Sequence, residues 1–281
     1  MILADALSAA AKSLSESGIP EPRREASSLI AFAIGRDRVF LVAHPEYNLT
    51  EQEWAAVDEL IRRRSAREPF QYIVGRQEFY ALDFVVDRSV LIPRPETELL
   101  VERAIEELSK VDNPRFCEIG VGSGCISISV LRNVPDATAI GVDISDAALA
   151  VAEANAVRHN VSDRLELAVS DIFDSLPNGR YHAILSNPPY IPSSEFDGLQ
   201  PEVRDFEPAT ALTDGGSGIE ILKRIIEGAP DLLIDGGLLM LEIGAGQLAS
   251  VDNILDRSIW DSVDVLFDLQ QIPRTVIAIK K

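Results

Sequence analysis

The chain has 281 residues, of which 46% are hydrophobic and 25% are charged, a globular composition that excludes wholesale disorder. Its 45 acidic and 26 basic side chains give a formal net charge of -19, which disfavours nucleic acid and anionic membrane surfaces as partners. Two cysteines cannot build a disulfide framework or a four-cysteine zinc site. A polar N-terminus without a signal-peptide pattern, and no apolar stretch long enough to span a bilayer, predict a cytoplasmic protein.

Residues 1–75 are predicted to form a small all-helical N-terminal domain. A proline at the start and a glycine at the end bracket one helix over 22–35. A capping box at Thr50 and Glu53 begins another helix. The segment 62–67 holds four arginines, the densest basic cluster in the chain, which predicts either a solvated helix face or a docking surface.

Residues 76–93 are aromatic and β-branched without a helical period, which predicts a β-hairpin linking two domains. From 94 to 281 strand and helix patterns alternate, as in an α/β fold whose mostly parallel sheet is covered on both faces. The predicted strands are 115–120, 138–143, 165–170, 181–186, 238–244, 262–268 and 275–280. The predicted helices are 96–110, 125–133, 145–160 and 219–228.

A glycine-rich loop, Glu118-Ile-Gly-Val-Gly-Ser-Gly124, follows the first of these strands. Glycines at the carboxyl end of a parallel strand let the backbone approach a ligand beside a helix N-terminus. The spacing departs from the dinucleotide pattern, and no Lys-Ser/Thr pair follows, which excludes a P-loop. Cys125 beside the loop is interpreted as a small buried residue and not as a nucleophile.

Two aspartates come at the ends of the next two strands. Asp143 is placed to accept both ribose hydroxyls of an adenosine ligand, or else to cap the helix that begins near Ser145. Asp171 is placed to accept from an adenine amino group, or else is a turn residue. With the glycine loop, they predict an adenosine cofactor across the carboxyl edge of the sheet.

The fourth strand runs directly into Asn187-Pro188-Pro189-Tyr190. Two prolines fix the backbone and remove two N–H groups, so the local carbonyls remain as rigid acceptors. The Asn187 side-chain oxygen adds an acceptor and Tyr190 adds a flat apolar face. Such a site suits a planar, weakly nucleophilic NH2 group, because accepting both N–H bonds directs the nitrogen lone pair toward an electrophile.

With these residues the chain resembles the class I S-adenosylmethionine-dependent methyltransferases that act on amino or amide nitrogen. The sequence LIPRPETE at 91–98 narrows the resemblance to the release factor glutamine methyltransferase family. Four further blocks match that family, so the resemblance spans nearly the whole chain: 69–84, 206–220, 241–247 and 269–274. Ala245 is a departure, since a tyrosine is commoner there.

The resemblance implies a Rossmann-like, mostly parallel seven-stranded sheet in a catalytic domain over 94–281. It also implies a hairpin linker over 76–93 and a substrate-recognition domain over 1–75. S-adenosylmethionine would be the cofactor, S-adenosylhomocysteine the product, and the Gly-Gly-Gln loop of class-1 peptide chain release factors the substrate. The implied cofactor-binding residues are Gly120, Val121, Gly122, Ser123, Gly124, Asp143, Asp171, Ile172 and Asn187. The implied substrate-binding residues are Asn187, Pro188, Pro189 and Tyr190, of which Asn187, Pro188 and Tyr190 are catalytic.

Three alternatives remain open at this level. Because the Asn-Pro-Pro-Tyr sequence also serves exocyclic base amines, one is an adenine-N6 methyltransferase acting on nucleic acid. The others are a glutamine methyltransferase acting on a ribosomal protein and a non-catalytic adenosine-binding module. The three histidines match no metal-binding spacing, so no metal is predicted. The linker residues Arg94 and Glu96 match the family motif without a role that the sequence reveals.

Overall fold

The computed structural model describes residues 1–176 and 179–281. They form two compact units. The first, here called the helical unit, comprises Met1–Arg76 and Gln200–Phe206. The second, the sheet unit, comprises Gln77–Leu199 and Glu207–Lys281. Within the described residues, no helix combines the length and the apolar character needed to cross a membrane.

The helices and strands are bounded as follows. The helices are α1 (Leu3–Glu16), α2 (Pro22–Ala33), α3 (Arg38–Ala43), α4 (Glu51–Ser65), α5 (Phe70–Val74), α6 (Glu98–Leu108), α7 (Cys125–Asn133), α8 (Asp146–Arg158), α9 (Ser193–Phe196), α10 (Pro201–Arg204), α11 (Glu220–Leu232) and α12 (Leu248–Ile254). The strands are β1 (Arg76–Phe79), β2 (Leu82–Val85), β3 (Arg115–Ile119), β4 (Thr138–Asp143), β5 (Leu165–Val169), β6 (Tyr181–Ser186), β7 (Leu233–Glu242), β8 (Trp260–Phe267) and β9 (Pro273–Lys280). Short 3₁₀ helices lie at Pro95–Thr97 and Ala209–Ala211.

The helical unit is a bundle of α1 to α5 around its own apolar core, to which α1, α2 and α4 contribute buried residues at helical spacing. The predicted helix starts are confirmed. Pro22 is the first residue of α2. At the start of α4 the Thr50 hydroxyl accepts from the Glu53 N–H, and the Glu53 carboxylate accepts from the Thr50 N–H, which completes the predicted capping box.

Arginines of the cluster at 62–67 form ion pairs within the helical unit. Arg62 is exposed and pairs with Glu59, one turn away on the same helix. Arg64 is only 5% exposed and bonds to the carboxylates of Glu25 and Glu202. Arg62 therefore fits the predicted solvated helix face. Arg64 is buried, so it fits neither a solvated face nor a docking surface. The sequence pattern could not reveal this, because both carboxylates lie far away along the chain.

The predicted hairpin is present as a two-stranded sheet of β1 and β2. Its strands end at Val85, whereas the prediction extended to residue 93. The apolar residues after Val85, among them Val86 and Ile92, lie outside any strand but are buried. Their burial accounts for an apolar sequence pattern that resembles a strand. The Asn155 side chain holds the hairpin by bonding to the N–H and the carbonyl of Val85.

The sheet unit contains, in the part of the chain that is described, a seven-stranded sheet with the order β5-β4-β3-β6-β7-β9-β8. Strands β5, β4, β3, β6 and β7 pair in parallel, while β9 is antiparallel to both β7 and β8. Apolar clusters cover both faces, as an internal parallel sheet requires. The strand order reverses between β3 and β6, so their carboxyl ends flank the crevice where α/β sheets bind ligands.

The predicted strand at 238–244, which corresponds to β7, was too short at its start. Strand β7 begins at Leu233, opposite Tyr181, and resumes its pairing at Leu238, opposite Ala183. The intervening residues form an irregularity that contains Gly236 at φ 75°. The polar and glycine residues of this bulge hide the strand pattern in the sequence.

We expect Arg64→Ala to lower the free energy of unfolding by about 3–5 kcal/mol, the typical cost of removing one partner from a buried ion pair. The reason is that Glu25 would lose its arginine partner, and Glu202 would keep only its pairing with Arg67. Arg62→Ala is the matched control and should leave stability unchanged, since Arg62 is exposed. Urea denaturation of both variants measures the difference, and equal effects would contradict the structural role assigned to Arg64.

Candidate active site

A cavity of about 420 Å³ lies at the carboxyl ends of β3, β4 and β6. Its volume is typical of a small-molecule site. The cavity brings together most of the residues selected from the sequence: Gly120, Val121, Gly122, Ser123, Asp143, Asp171, Ile172, Asn187, Pro188 and Pro189. Four segments that are well separated along the chain thus converge on one space.

The glycine loop is tied to the neighbouring strand. The N–H groups of Gly120 and Val121 both donate to the Val142 carbonyl, at 2.8 and 2.9 Å. Gly124 is the N-cap of α7 with φ 80°, and a Cβ there would lie 2.8 Å from the Ile128 side chain. Glycine at 124 thus permits the turn and the close packing of α7 behind the loop.

Asp143 organises the loop on the cavity side. Its Oδ2 accepts from the Gly122 N–H and its Oδ1 from the Ser145 N–H, both at 3.0 Å. The N-cap of α8 is Ser145, whose hydroxyl accepts from the Ala148 N–H. Helix capping is therefore the function of Ser145, and the Asp143 carboxylate lies at the cavity.

Asp171 and Ile172 form another part of the wall. Asp171 Oδ1 accepts from Arg224 Nη1 at 3.0 Å, and both side chains are about half exposed. Ile172 is buried and has φ 54°, a conformation that is strained for a β-branched residue. Such strain at a cavity wall is a common property of ligand sites, and nothing in the sequence indicated it.

Glu118 lies fully buried beneath the glycine loop, at 1% exposure. One of its oxygens accepts from both the N–H and the hydroxyl of Ser127 in the first turn of α7. Burial, with a smaller contribution from the charge of Asp143, raises the pKa of Glu118 to about 8. The carboxyl group thus joins the end of β3 to α7.

The Asn187 side chain belongs to a partly buried series of hydrogen bonds that the sequence analysis missed. Asn187 Nδ2 donates to Thr97 Oγ1 at 3.1 Å, and the Thr97 hydroxyl donates to Glu242 Oε2 at 2.6 Å. The Tyr190 hydroxyl donates to the other oxygen of Glu242 at 3.3 Å. Burial raises the pKa of Glu242 to about 7. The available signal was a glutamate at the end of an otherwise apolar strand.

Unlike Asn187, Pro188 and Pro189, Tyr190 is not among the described residues that line the cavity. Its ring packs against the core cluster under one face of the sheet, and burial raises its pKa above the usual range. Gln247 holds this turn by donating to the carbonyls of Tyr190 and Gly218, at 2.8 and 3.1 Å. Gly218 approaches so closely that a Cβ would lie 2.3 Å from the Tyr190 carbonyl oxygen. Ala245, which departs from the family pattern, is exposed.

The linker motif also lies at this site. Arg94 lines the cavity and pairs with the buried carboxylate of Glu207 at 2.5 Å. Glu207 also accepts from the Ile92 N–H. Cys125 lines the cavity as well, but burial raises its thiol pKa far above the usual range, which fits a non-nucleophilic residue. Within the described residues, no group of three or more acidic, histidine or cysteine side chains is arranged to hold a metal ion.

Comparison with known proteins identifies two matching family models and several full-length relatives. The models are the PrmC N-terminal domain over residues 5–75 and the Methyltransferase small domain over residues 95–199. A protein of Koribacter versatilis named release factor glutamine methyltransferase is 40% identical over 100% of this chain and 99% of its own length. One of the same name from Geobacter sulfurreducens is 42% identical over 87% of this chain and 85% of its own length.

A solved structure of a methyltransferase from Pyrococcus furiosus is similar in fold. It matches with a TM-score of 0.55 over 72% of this chain and 90% of that chain, at 19% identity. Together with the second family model, it confirms the predicted class I methyltransferase fold.

The raised pKa of Glu118 predicts a pH-dependent stability. The folded-state pKa of about 8 exceeds the ordinary value of 4.5, so the folded protein holds this proton more tightly than the unfolded chain does. The free energy of unfolding should therefore fall as the pH rises from about 4.5 to about 8. Glu118→Gln should remove this loss, on the order of several kcal/mol at about 1.4 kcal/mol per pKa unit. Urea denaturation at pH 5 and at pH 8.5 measures it, with the exposed Glu153→Gln as the charge control. If the free energy of unfolding depended on pH equally in the parent and in Glu118→Gln, this prediction would be wrong.

Proposed function

Because this chain belongs to the family of release factor glutamine methyltransferases, we propose that the cavity at its sheet edge is where a methyl group is transferred to a glutamine amide. The methyl group comes from S-adenosylmethionine and goes to N5 of the glutamine in the Gly-Gly-Gln motif of class-1 peptide chain release factors. The products are the methylated release factor and S-adenosylhomocysteine. The proposed location is the cytoplasm, where translation terminates.

The observation that carries this proposal is that Asn187, Pro188 and Pro189 line the same cavity as the glycine loop and Asp143. An amide nitrogen is a weak nucleophile, so the site has to supply positioning and hydrogen-bond acceptors. The acceptors at Asn187 and the adjacent backbone carbonyls suit an NH2 group, and the cavity beside them suits the methyl donor.

The residues present fit an adenosine-containing methyl donor. Both oxygens of Asp143 retain acceptor capacity beyond their single N–H donors, so the carboxylate can also accept ribose hydroxyls. Gly120–Gly124 would hold the amino-acid part, while Asp171 and Ile172 would border the adenine. When bound, S-adenosylmethionine supplies an electrophilic methyl group on a sulfonium centre.

The chain's own residues would orient the substrate amide. Asn187 Nδ2 is engaged by Thr97, which leaves Oδ1 available at the cavity to accept one amide N–H. A backbone carbonyl of the proline pair would accept the other, and the lone pair would then point toward the methyl donor. The methylated nitrogen becomes a strong acid, so water can take the proton and no general base is required. Tyr190 would hold the turn in position through the hydrogen bond from its hydroxyl group to Glu242.

Two alternatives carry less support. An adenine-N6 methyltransferase needs a surface for a phosphate backbone, yet the net charge is -19 and Arg64 is committed within the helical unit. A ribosomal-protein glutamine methyltransferase would share the Asn-Pro-Pro-Tyr sequence. The names of the relatives that cover nearly the whole chain favour the release-factor branch.

We expect one substitution in this cavity to impair cofactor binding and another to impair catalysis. Asp143→Ala should weaken S-adenosylhomocysteine binding about tenfold to hundredfold, because a charged acceptor is lost. Asn187→Ala should bind S-adenosylhomocysteine normally but lower kcat about a hundredfold or more, because an oriented acceptor at the reacting centre is lost. Calorimetry and methylation of a purified release factor measure the two properties. Normal kcat in Asn187→Ala would contradict the assignment of the substrate amide to this residue.

For the helical unit we propose recognition of the folded release factor. On α3, Val39 and Val42 are 73% and 81% exposed. They border a cavity of about 740 Å³ that is also lined by Leu7 and Arg38. Exposed apolar side chains next to a groove are typical of protein-binding surfaces. A folded substrate needs such a second surface, whereas a short peptide needs only the catalytic cavity.

The double variant Val39→Asp/Val42→Asp should therefore lower kcat/KM for an intact release factor about tenfold or more, the loss expected when charges replace apolar contacts. Activity on a short Gly-Gly-Gln peptide should not change. Val157→Asp is the matched control, since Val157 is 58% exposed on the sheet unit. If protein and peptide substrates were affected equally, the docking role would be refuted.

A further inference from the structure

Thr97 uses its hydroxyl group in an unusual way for its position. It immediately precedes α6, where a threonine ordinarily accepts a hydrogen bond from the first turn of the helix. Here the Thr97 side chain makes no capping bond. It is 2% exposed, and its hydroxyl donates to Glu242 while accepting from Asn187. The hydroxyl is thus committed to the site and not to its own helix.

The donor and acceptor of each hydrogen bond among Asn187, Thr97, Glu242 and Tyr190 follow from the chemistry of Glu242. When Glu242 is ionised, its carboxylate can only accept, so in that state Tyr190 and Thr97 both donate to it. Once its proton is directed at Glu242, the Thr97 oxygen can only accept at its remaining positions. Asn187 must then present its NH2 group to Thr97, and its Oδ1 must face the other way.

This direction matters because an asparagine amide can otherwise rotate by half a turn at little steric cost. The rotated amide would present its NH2 group to the NH2 group of a glutamine. Two donors facing each other form no hydrogen bond, so the acceptor needed at the substrate nitrogen would be lost.

We propose that Thr97 and Glu242 are positioning residues that hold the Asn187 amide with its oxygen toward the substrate. This inference rests on the proposed function, in which Asn187 accepts from the glutamine amide. Thr97 and Glu242 act through Asn187 and take no part in the bond changes. Thr97 and Glu242 are 2% and 1% exposed, so the hydrogen bond between them is shielded from water.

The test compares Thr97→Val, Thr97→Ser, Asn187→Ala and the double variant Thr97→Val/Asn187→Ala. Valine keeps the shape of Thr97 and removes the hydroxyl, so kcat on a Gly-Gly-Gln peptide should fall about tenfold to hundredfold. S-adenosylhomocysteine affinity and KM for the peptide should change little, while thermal stability should fall because the buried Glu242 loses a donor. Thr97→Ser should restore kcat to within a few-fold of the parent. The double variant should be no slower than Asn187→Ala, since Thr97 acts only through that side chain.

Thr275→Val is the matched control. Thr275 pairs with Glu242 across β7 and β9, is fully buried, and its hydroxyl has no partner among the described residues. Losing this hydroxyl should leave kcat unchanged. If Thr97→Val does not fold, Glu242→Gln is the second variant. Its side chain keeps the volume but can donate as well as accept, so kcat should fall without a further loss in the Asn187→Ala background.

Several results would overturn the inference. They are a parent-like kcat in Thr97→Val, no rescue by serine, or a double variant slower than Asn187→Ala by the full Thr97→Val factor. If Asn187→Ala is slow while Thr97→Val is not, the positioning role fails and the proposed function stands. If Asn187→Ala itself is unaffected, the substrate contact assigned under the proposed function fails, and the positioning role fails with it.

Discussion

Two glutamates buried in parallel strands are the constraint on which the site depends. Glu118 and Glu242 are each 1% exposed, in β3 and at the end of β7. A buried acid is costly unless hydrogen-bond donors compensate it. The donors come from α7 for Glu118, and from Thr97 and Tyr190 for Glu242. Because these donors belong to the segments that surround the cavity, satisfying the two acids also places the cavity walls.

The linker motif at 91–98 is a structural junction. Arg94 pairs with Glu207, Thr97 bonds to Glu242, and the Glu98 carboxylate accepts from the backbone N–H of Tyr80 in the hairpin turn. Three neighbouring side chains thus connect the hairpin, the 206–220 block and strand β7. A motif with this function needs no reactive group of its own, which explains why its sequence did not disclose a role.

The distribution of charge fits a neutral substrate group. The chain is strongly acidic, and Arg63 and Arg64 of its densest basic cluster are paired with glutamates inside the helical unit. Arg94 at the cavity is likewise paired, with Glu207. A glutamine amide requires acceptors and exact positioning more than it requires cations, and acceptors are what the turn at Asn187 provides.

The sequence by itself determined the features that depend on local pattern. It indicated the alternating strands and helices, the capping box at Thr50, the glycine loop and the turn at Asn187, because each is a matter of spacing or of backbone restriction within a few residues. It did not indicate the bond between Thr97 and Glu242, which are 145 residues apart, or that between Arg64 and Glu202, which are 138 apart. Those pairings, and the strained backbone of Ile172, exist only because the fold brings distant segments together and excludes water from them. Burial converts ordinary polar residues into obligatory partners, and burial is decided by tertiary structure.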